Sequence, residues 1–369
     1  MLDNDMYWLA FASLKQASSA FIQKLYEHFG DIETAWNADI SELIKIENVT
    51  KKQLDNFIFE RNNVSPNRCF DEIKSRKINY ITFDNKLYPS LLKEIQNPPM
   101  TIFYLGDLNR CNFNRTLGIV GSRKASISIK DILSNIIADF KATDICIVSG
   151  LAAGIDTVAH KAAIDNSLST IAVIASGFDF VYPSSNKKLS DQIIQSSGVI
   201  MSEYWPSVEP LSWRFPHRNR IVSGLSKGIL VAEAALKSGA LITAGLALEQ
   251  GRELMCIPGL ITNPNTEGIY KLLKTGASLV TNSSDILEAL NWEKIGNNQS
   301  GNESRTNTQL SVSDALVLEA VSRDSLNFDD IIIRTGLNIA DLMVILTRLE
   351  IRGLIKQTDG EKYISLLVH

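Results

Sequence analysis

The chain has 369 residues, 45% apolar and 21% charged, with a formal net charge of −4. That length is two or three domains of ordinary soluble composition, and its acidity excludes a protein that coats nucleic acid through bulk charge. No apolar run approaches the roughly 18 residues of a membrane span, the first residues are acidic where a secretion signal would be basic, and Cys69, Cys111, Cys146 and Cys256 form no C-x-x-C pair, so a cytoplasmic protein without zinc, disulfides or membrane partner is expected.

Residues 1–80 read as a small helical domain. Tyr7, Leu9, Leu14, Phe21, Leu25 and Phe29 recur at helical spacing, and Gly30-Asp31 looks like a stop followed by a new cap. Two further helices flank Glu47-Asn48-Val49, which stands where a DNA-binding helix-hairpin-helix carries Gly-x-Gly. A helical accessory domain is therefore favoured over a DNA-binding hairpin. Residues 84–292 form the main domain, an α/β alternation from Thr116 onward. Strands are expected at 116–120, 145–149, 170–175, 198–202, 228–232 and 253–257. Short apolar runs such as Ile145-Cys-Ile-Val148 suit strands covered on both faces, and the alternation predicts a doubly wound parallel sheet. Ligands of such sheets sit beyond the carboxyl ends of the strands, at a topological switch point. Residues 293–309 are polar and read as a flexible linker. Residues 310–369 read as a winged helix: a helix at 311–322 leads to Asp329-Asp-Ile-Ile-Ile-Arg-Thr-Gly336, a second helix covers 338–352, and a hairpin turns at Asp359-Gly360.

Three segments carry candidate chemistry. Val120-Gly-Ser-Arg123 and Ser149-Gly-Leu-Ala-Ala-Gly-Ile-Asp156 are glycine-bearing turns at strand ends, where backbone N–H groups approach phosphate and Arg123 adds a charge-assisted contact. Between residues 205 and 228, Arg214, Arg218, Arg220 and Lys227 oppose only Glu209, a local charge of +3, with Phe215 among them. Cations beside a ring suit single-stranded nucleic acid. Lys237 and Ser238, Gly239 and Thr243 start another helix after a strand. No G-x-G-x-x-G or P-loop occurs, which argues against a nicotinamide or nucleoside-triphosphate enzyme. Asp156 and His160 lie four residues apart on one helical face, but lack a third ligand for a metal. Glu203 and Glu233 end strands, where catalytic carboxylates can stand.

Gly118-Ile-Val-Gly-Ser-Arg123, the Ser149–His160 turn and helix start, Phe215-Pro-x-Arg-Asn-Arg-Ile221, Leu236-Lys-Ser-Gly-Ala-Leu-Ile-Thr-Ala244 and Glu249-Gln-Gly-Arg252 with Ile257-Pro-Gly259 resemble the DNA-processing protein A (DprA/Smf) family, in order and spacing, from about residue 84 to 290. The resemblance implies an extended Rossmann-like fold and a cytoplasmic, non-enzymatic protein of natural transformation. Such a protein binds and protects incoming single-stranded DNA, helps load the RecA recombinase, and dimerises; it needs no cofactor. Carried over, Gly121, Ser122 and Arg123 form the first phosphate turn, Ser149, Gly150 and Gly154 the second, and Phe215, Arg218, Asn219 and Arg220 meet the strand beside Lys237 and Ser238. Ala175, where the family usually has glycine, and Tyr270 depart from the pattern. Residues 271–280, with leucines flanked by lysines, are the expected dimer segment. The rival reading is a Rossmann-like nucleotide phosphoribohydrolase, whose P-G-G-x-G-T-x-x-E turn is replaced here by Lys-Ser-Gly-Ala-Leu-Ile-Thr.

The winged-helix segment 310–369 holds six Arg or Lys against nine Asp or Glu. Counterion release, the main source of DNA affinity, would be weak there. Its expected role is regulation or protein contact. Deleting residues 300–369 should leave affinity for single-stranded DNA within a few-fold of full length, measured by fluorescence anisotropy. A folded truncation that loses most of its affinity would contradict this.

Overall fold

Alternation between two buried faces organises the main sheet. The computed structural model describes residues 4–292, 312–322, 326–351, 354–358 and 362–365. They belong to two compact units, Met1–Ile295 and Gly296–His369. The expected linker 293–309 and the turn at Asp359-Gly360 lie outside the described residues.

Nine strands form the sheet of the first unit: β1 Asn79–Thr82, β2 Thr101–Gly106, β3 Thr116–Val120, β4 Cys146–Ser149, β5 Thr170–Val173, β6 Val199–Ser202, β7 Gly228–Val231, β8 Glu253–Cys256 and β9 Ser278–Leu279. Their spatial order is β1-β2-β6-β5-β4-β3-β7-β8-β9. All pairings from β6 to β9 are parallel, whereas β2 runs antiparallel to β6 and to β1. The six expected strands are present within one or two residues of their bounds. β1, β2 and β9 were not expected.

Leu117 and Ile119 of β3 point to the face covered by the helices Ile127–Ala138 and Ile155–Asp165, whereas Val120 faces the helices Arg214–Leu225 and Gly239–Glu249. Neighbouring strands repeat the division: Ile147 lies with the first set, Cys146 and Val148 with the second. Each such fully buried aliphatic side chain contributes roughly 1.5–3 kcal/mol. This is the doubly wound arrangement.

The N-terminal helices share a core with the antiparallel edge. Trp8, Leu25, Phe57 and Ile73 pack in one cluster with Ile78, Met100, Phe103 and Trp205, so the segments on either side of residue 80 are joined by hydrophobic burial. Ser18 caps the helix Ser19–Phe29, which stops at left-handed Gly30, and Thr50 with Gln53 forms a capping box. In the turn where a DNA-binding hairpin has glycine, Asn48 adopts a positive φ of 58°. Asparagine tolerates that region better than most residues do.

In the second unit, the helices Val312–Ser322, Phe328–Thr335 and Ile339–Ile351 pack with a three-stranded antiparallel sheet around Val317, Ile331, Leu342 and Leu349. The architecture is a winged helix. Among the described residues, no helix is long and apolar enough to cross a membrane.

Candidate nucleic-acid interface

The chain runs from β3 outward through β4, β5 and β6 on one side, then returns to β7 on the other. β3 and β7 are neighbours, paired from Leu117↔Gly228 to Val120↔Val231. The loops leaving their carboxyl ends therefore diverge and open the crevice that doubly wound sheets use for ligands. The two loops are tied together: Ser122 N–H donates to the Glu233 carbonyl at 2.7 Å, while the Glu233 carboxylate accepts from Ser126 N at 3.0 Å and Asn263 Nδ2 at 3.2 Å. Glu233, buried and so engaged, is a structural clamp between loops.

A cleft of about 500 Å³ lies there. Gly121, Ser122 and Arg123 form one wall and Lys237 and Ser238 the other. Ser238 Oγ accepts from Ala240 N at 3.2 Å and caps the helix Gly239–Glu249, whose N-terminal N–H groups favour an anion. Arg123 and Lys237 are exposed.

The third wall is the start of the helix Arg214–Leu225. Phe215, Arg218 and Asn219 line the cleft, as positions i, i+3 and i+4 of one helical face. Phe215 is half-buried and lies outside every hydrophobic core cluster. Arg123 stands 5.6 Å from its ring centroid, and Tyr182 meets it edge-on at 5.3 Å. Arg218 is the floor. It is buried, donates to the Val173 carbonyl, and faces the carboxylate of Asp156. Burial, reinforced by Arg123, lowers the Arg218 pKa against the pull of Asp156; burial raises Asp156, with Arg218 opposing.

The +3 run is not a surface patch, which corrects the linear reading. Positions 218 and 220 lie about 200° apart on a helix, so Arg220 turns away from the cleft. It is buried in an ion pair with Glu203. Burial alone would raise the Glu203 carboxyl; Arg220, His217 and the Ser19 hydroxyl outweigh it and hold it below the usual range. Arg214 stacks on Tyr204 and Trp213, and Lys227 precedes β7, at the end of the strands opposite the cleft. The cleft's exposed cations, Arg123 and Lys237, both come from outside the run.

Three other expected residues act behind the cleft rather than in its lining. Ser149 is buried and its hydroxyl donates to the Ile119 carbonyl at 2.6 Å. A Cβ on Gly150 would fall 2.3 Å from Asp156 Oδ2 and 2.6 Å from both terminal nitrogens of Arg218. Gly154, at φ +84°, lets the second turn approach the first, since its Cβ would fall 2.2 Å from the Ser122 carbonyl oxygen. His160 Nδ1 lies 2.7 Å from Thr170 Oγ1, which is itself 2.9 Å from the Ile147 carbonyl oxygen. Burial lowers its pKa to about 4, which keeps the ring neutral. Tyr270 gives its hydroxyl hydrogen to the Gly259 carbonyl, a tie between loop and helix. Tyr182 was missed, although a ring in a strand-end loop, Tyr182-Pro183, was a readable signal.

Residues 79–291 match the family model for DNA recombination-mediator protein A, and residues 302–361 match the DprA winged helix domain. The chain belongs to the DNA recombination-mediator protein A family. Protein Smf of Synechocystis is 33% identical over 97% of this chain and 98% of its own length. DNA processing protein DprA of Streptococcus pneumoniae is 44% identical over 54% of this chain and 70% of its own. The X-ray structure of the Streptococcus pneumoniae DprA superposes with a TM-score of 0.67 at 34% identity, covering 77% of this chain and 96% of that one. The structure of DNA processing protein A from Helicobacter pylori, concerned with its single-stranded DNA binding mode, gives 0.52 at 28% identity, covering 58% and 98%.

Gly154→Ala should force the two turns apart. A residue with a Cβ held at φ +84°, ψ −127°, a region that glycine alone adopts readily, costs roughly 1–3 kcal/mol before any clash is counted. The variant should show a lower denaturation midpoint and weaker ligand binding at Arg123. An unchanged midpoint would mean the turns are not in contact.

Proposed function

We propose that this protein binds single-stranded DNA in the cleft between β3 and β7, and through it protects incoming DNA and helps load RecA during natural transformation. The observation that carries the reading is the juxtaposition of exposed Arg123 and Lys237 with the half-buried ring of Phe215, over a capped helix N-terminus. The cations and N–H groups suit phosphates of any sequence, while a ring face suits an unpaired base. Single strands present both; a duplex hides its base faces. Family membership supports the role in DNA processing and the RecA partnership.

The cleft suits binding without catalysis. Asp156 is the one carboxylate among the described lining residues, and it is engaged by Arg218 and Ala152 N. Self-association as a homodimer in the cytoplasm belongs to the same reading. Within its expected segment, 271–280, Leu272 and Leu273 pack in the core of this unit and Leu279 is the exposed leucine.

Arg123→Ala and Lys237→Ala should each weaken binding to any sequence and reduce the slope of log affinity against log salt by about 0.7. Phe215→Ala should cost roughly 1–3 kcal/mol of affinity. Its thermal stability should hardly change, because the ring lies outside the core. Unchanged affinity in all three variants would remove the cleft from DNA binding.

A further inference from the structure

The helix Arg214–Leu225 separates two cavities. On the side away from the phosphate cleft, Trp213, Arg214 and His217 border a cavity of about 590 Å³, closed by the end of β6 and by the 14–18 loop between the first two N-terminal helices. Its polar floor is incomplete. The Glu203 side chain is 9% exposed; Oε1 accepts from Ser19 Oγ at 2.6 Å and from Arg220, whereas Oε2 accepts no hydrogen bond and has His217 Nδ1 3.5 Å away. Arg214 Nε is also buried and donates to nothing. Its guanidinium lies 5.2 Å from the Tyr204 ring centroid and 4.9 Å from that of Trp213, and Trp213 is 58% exposed.

An unpaired buried acceptor and an unpaired buried donor are unfavourable unless a ligand meets them. The cavity has the size of a small-molecule site and apolar walls from Leu14, Ile22 and Met100. Its buried carboxylate disfavours a phosphate. What fits is a flat ring whose edge carries both N–H and acceptor atoms.

We propose that this cavity receives a nucleobase of the strand held in the neighbouring cleft, stacked on Trp213, and that the Glu203 carboxylate, whose Oε2 is covered in the free protein, turns to accept an N–H from it. The inference rests on the single-stranded DNA reading above. A strand leaving the cleft over the start of the helix reaches this cavity next, because consecutive residues of one helical turn line the two: Phe215 and Arg218 the first, Arg214 and His217 the second. The N-terminal helical segment thereby becomes part of the DNA site through its 14–18 loop.

The test uses the full-length protein and short oligothymidylates carrying one 2-aminopurine, moved one position at a time. On binding wild type, the fluorescence at one position should change in a way that Trp213→Ala abolishes and Trp213→Phe largely retains. Trp213→Ala should also weaken affinity about tenfold, the scale of one lost base stack. Trp213 is largely exposed, so the fold should tolerate both variants. A position profile that is the same in wild type and Trp213→Ala, at any affinity, overturns the proposal and leaves the cavity to a protein segment. If Arg123→Ala still weakens binding in that case, only this inference falls. If wild type does not bind the oligonucleotides, both readings fall.

Discussion

The close approach of two loops at the β3–β7 switch point is the constraint on which the cleft depends. Its hydrogen bond, from Ser122 N–H to the Glu233 carbonyl, joins segments more than a hundred residues apart in sequence. Gly121 leaves room for it, since a Cβ there would sit 3.1 Å from the Glu233 carbonyl oxygen, and Gly154 brings the 149–154 turn against the same loop, since its Cβ would strike the Ser122 carbonyl oxygen. Without that approach Arg123 would not reach Phe215. The glycines thus act one step behind the ligand, by setting loop spacing.

Charge in the cleft is layered. Arg123 and Lys237 face solvent, where screening makes each worth little alone but where release of counterions gives salt-dependent attraction to a polyanion. Arg218 beneath them donates to the Val173 carbonyl and faces the Asp156 carboxylate without a direct hydrogen bond. Removing one of two opposite buried charges leaves the other uncompensated, which is destabilising. Arg218 is therefore a scaffold cation first, and variants at this position mix stability with ligand contact. The Arg220–Glu203 pair plays the corresponding part behind the second cavity.

Much of the sheet was legible because its strands are covered on both faces, so that each is a short apolar run bounded by glycine or a polar turn. Asn79–Thr82 gives no such signal, being four residues with polar ends, whereas Thr101–Gly106 carries the apolar run Ile-Phe-Tyr-Leu behind Pro98-Pro99; the two gain their place from pairing with each other, from the pairing of β2 with β6 and from packing against the N-terminal helices. In the site, the glycine turns and Phe215 were readable as types. Linear charge counting failed at 214–220 because helical periodicity sends Arg218 and Arg220 to opposite sides, a rule the sequence could have supplied. Tyr182, from a loop after β5, and the clamp role of Glu233 depend on tertiary proximity.

The central claim is that a DNA strand lies across the two loops of the switch point. Amide hydrogen exchange, with and without a short oligothymidylate, tests it most directly. The account predicts protection at residues 121–124 and 235–240, together with the first turn of the helix Arg214–Leu225. Protection confined to the winged-helix residues, with those loops unchanged, would contradict it.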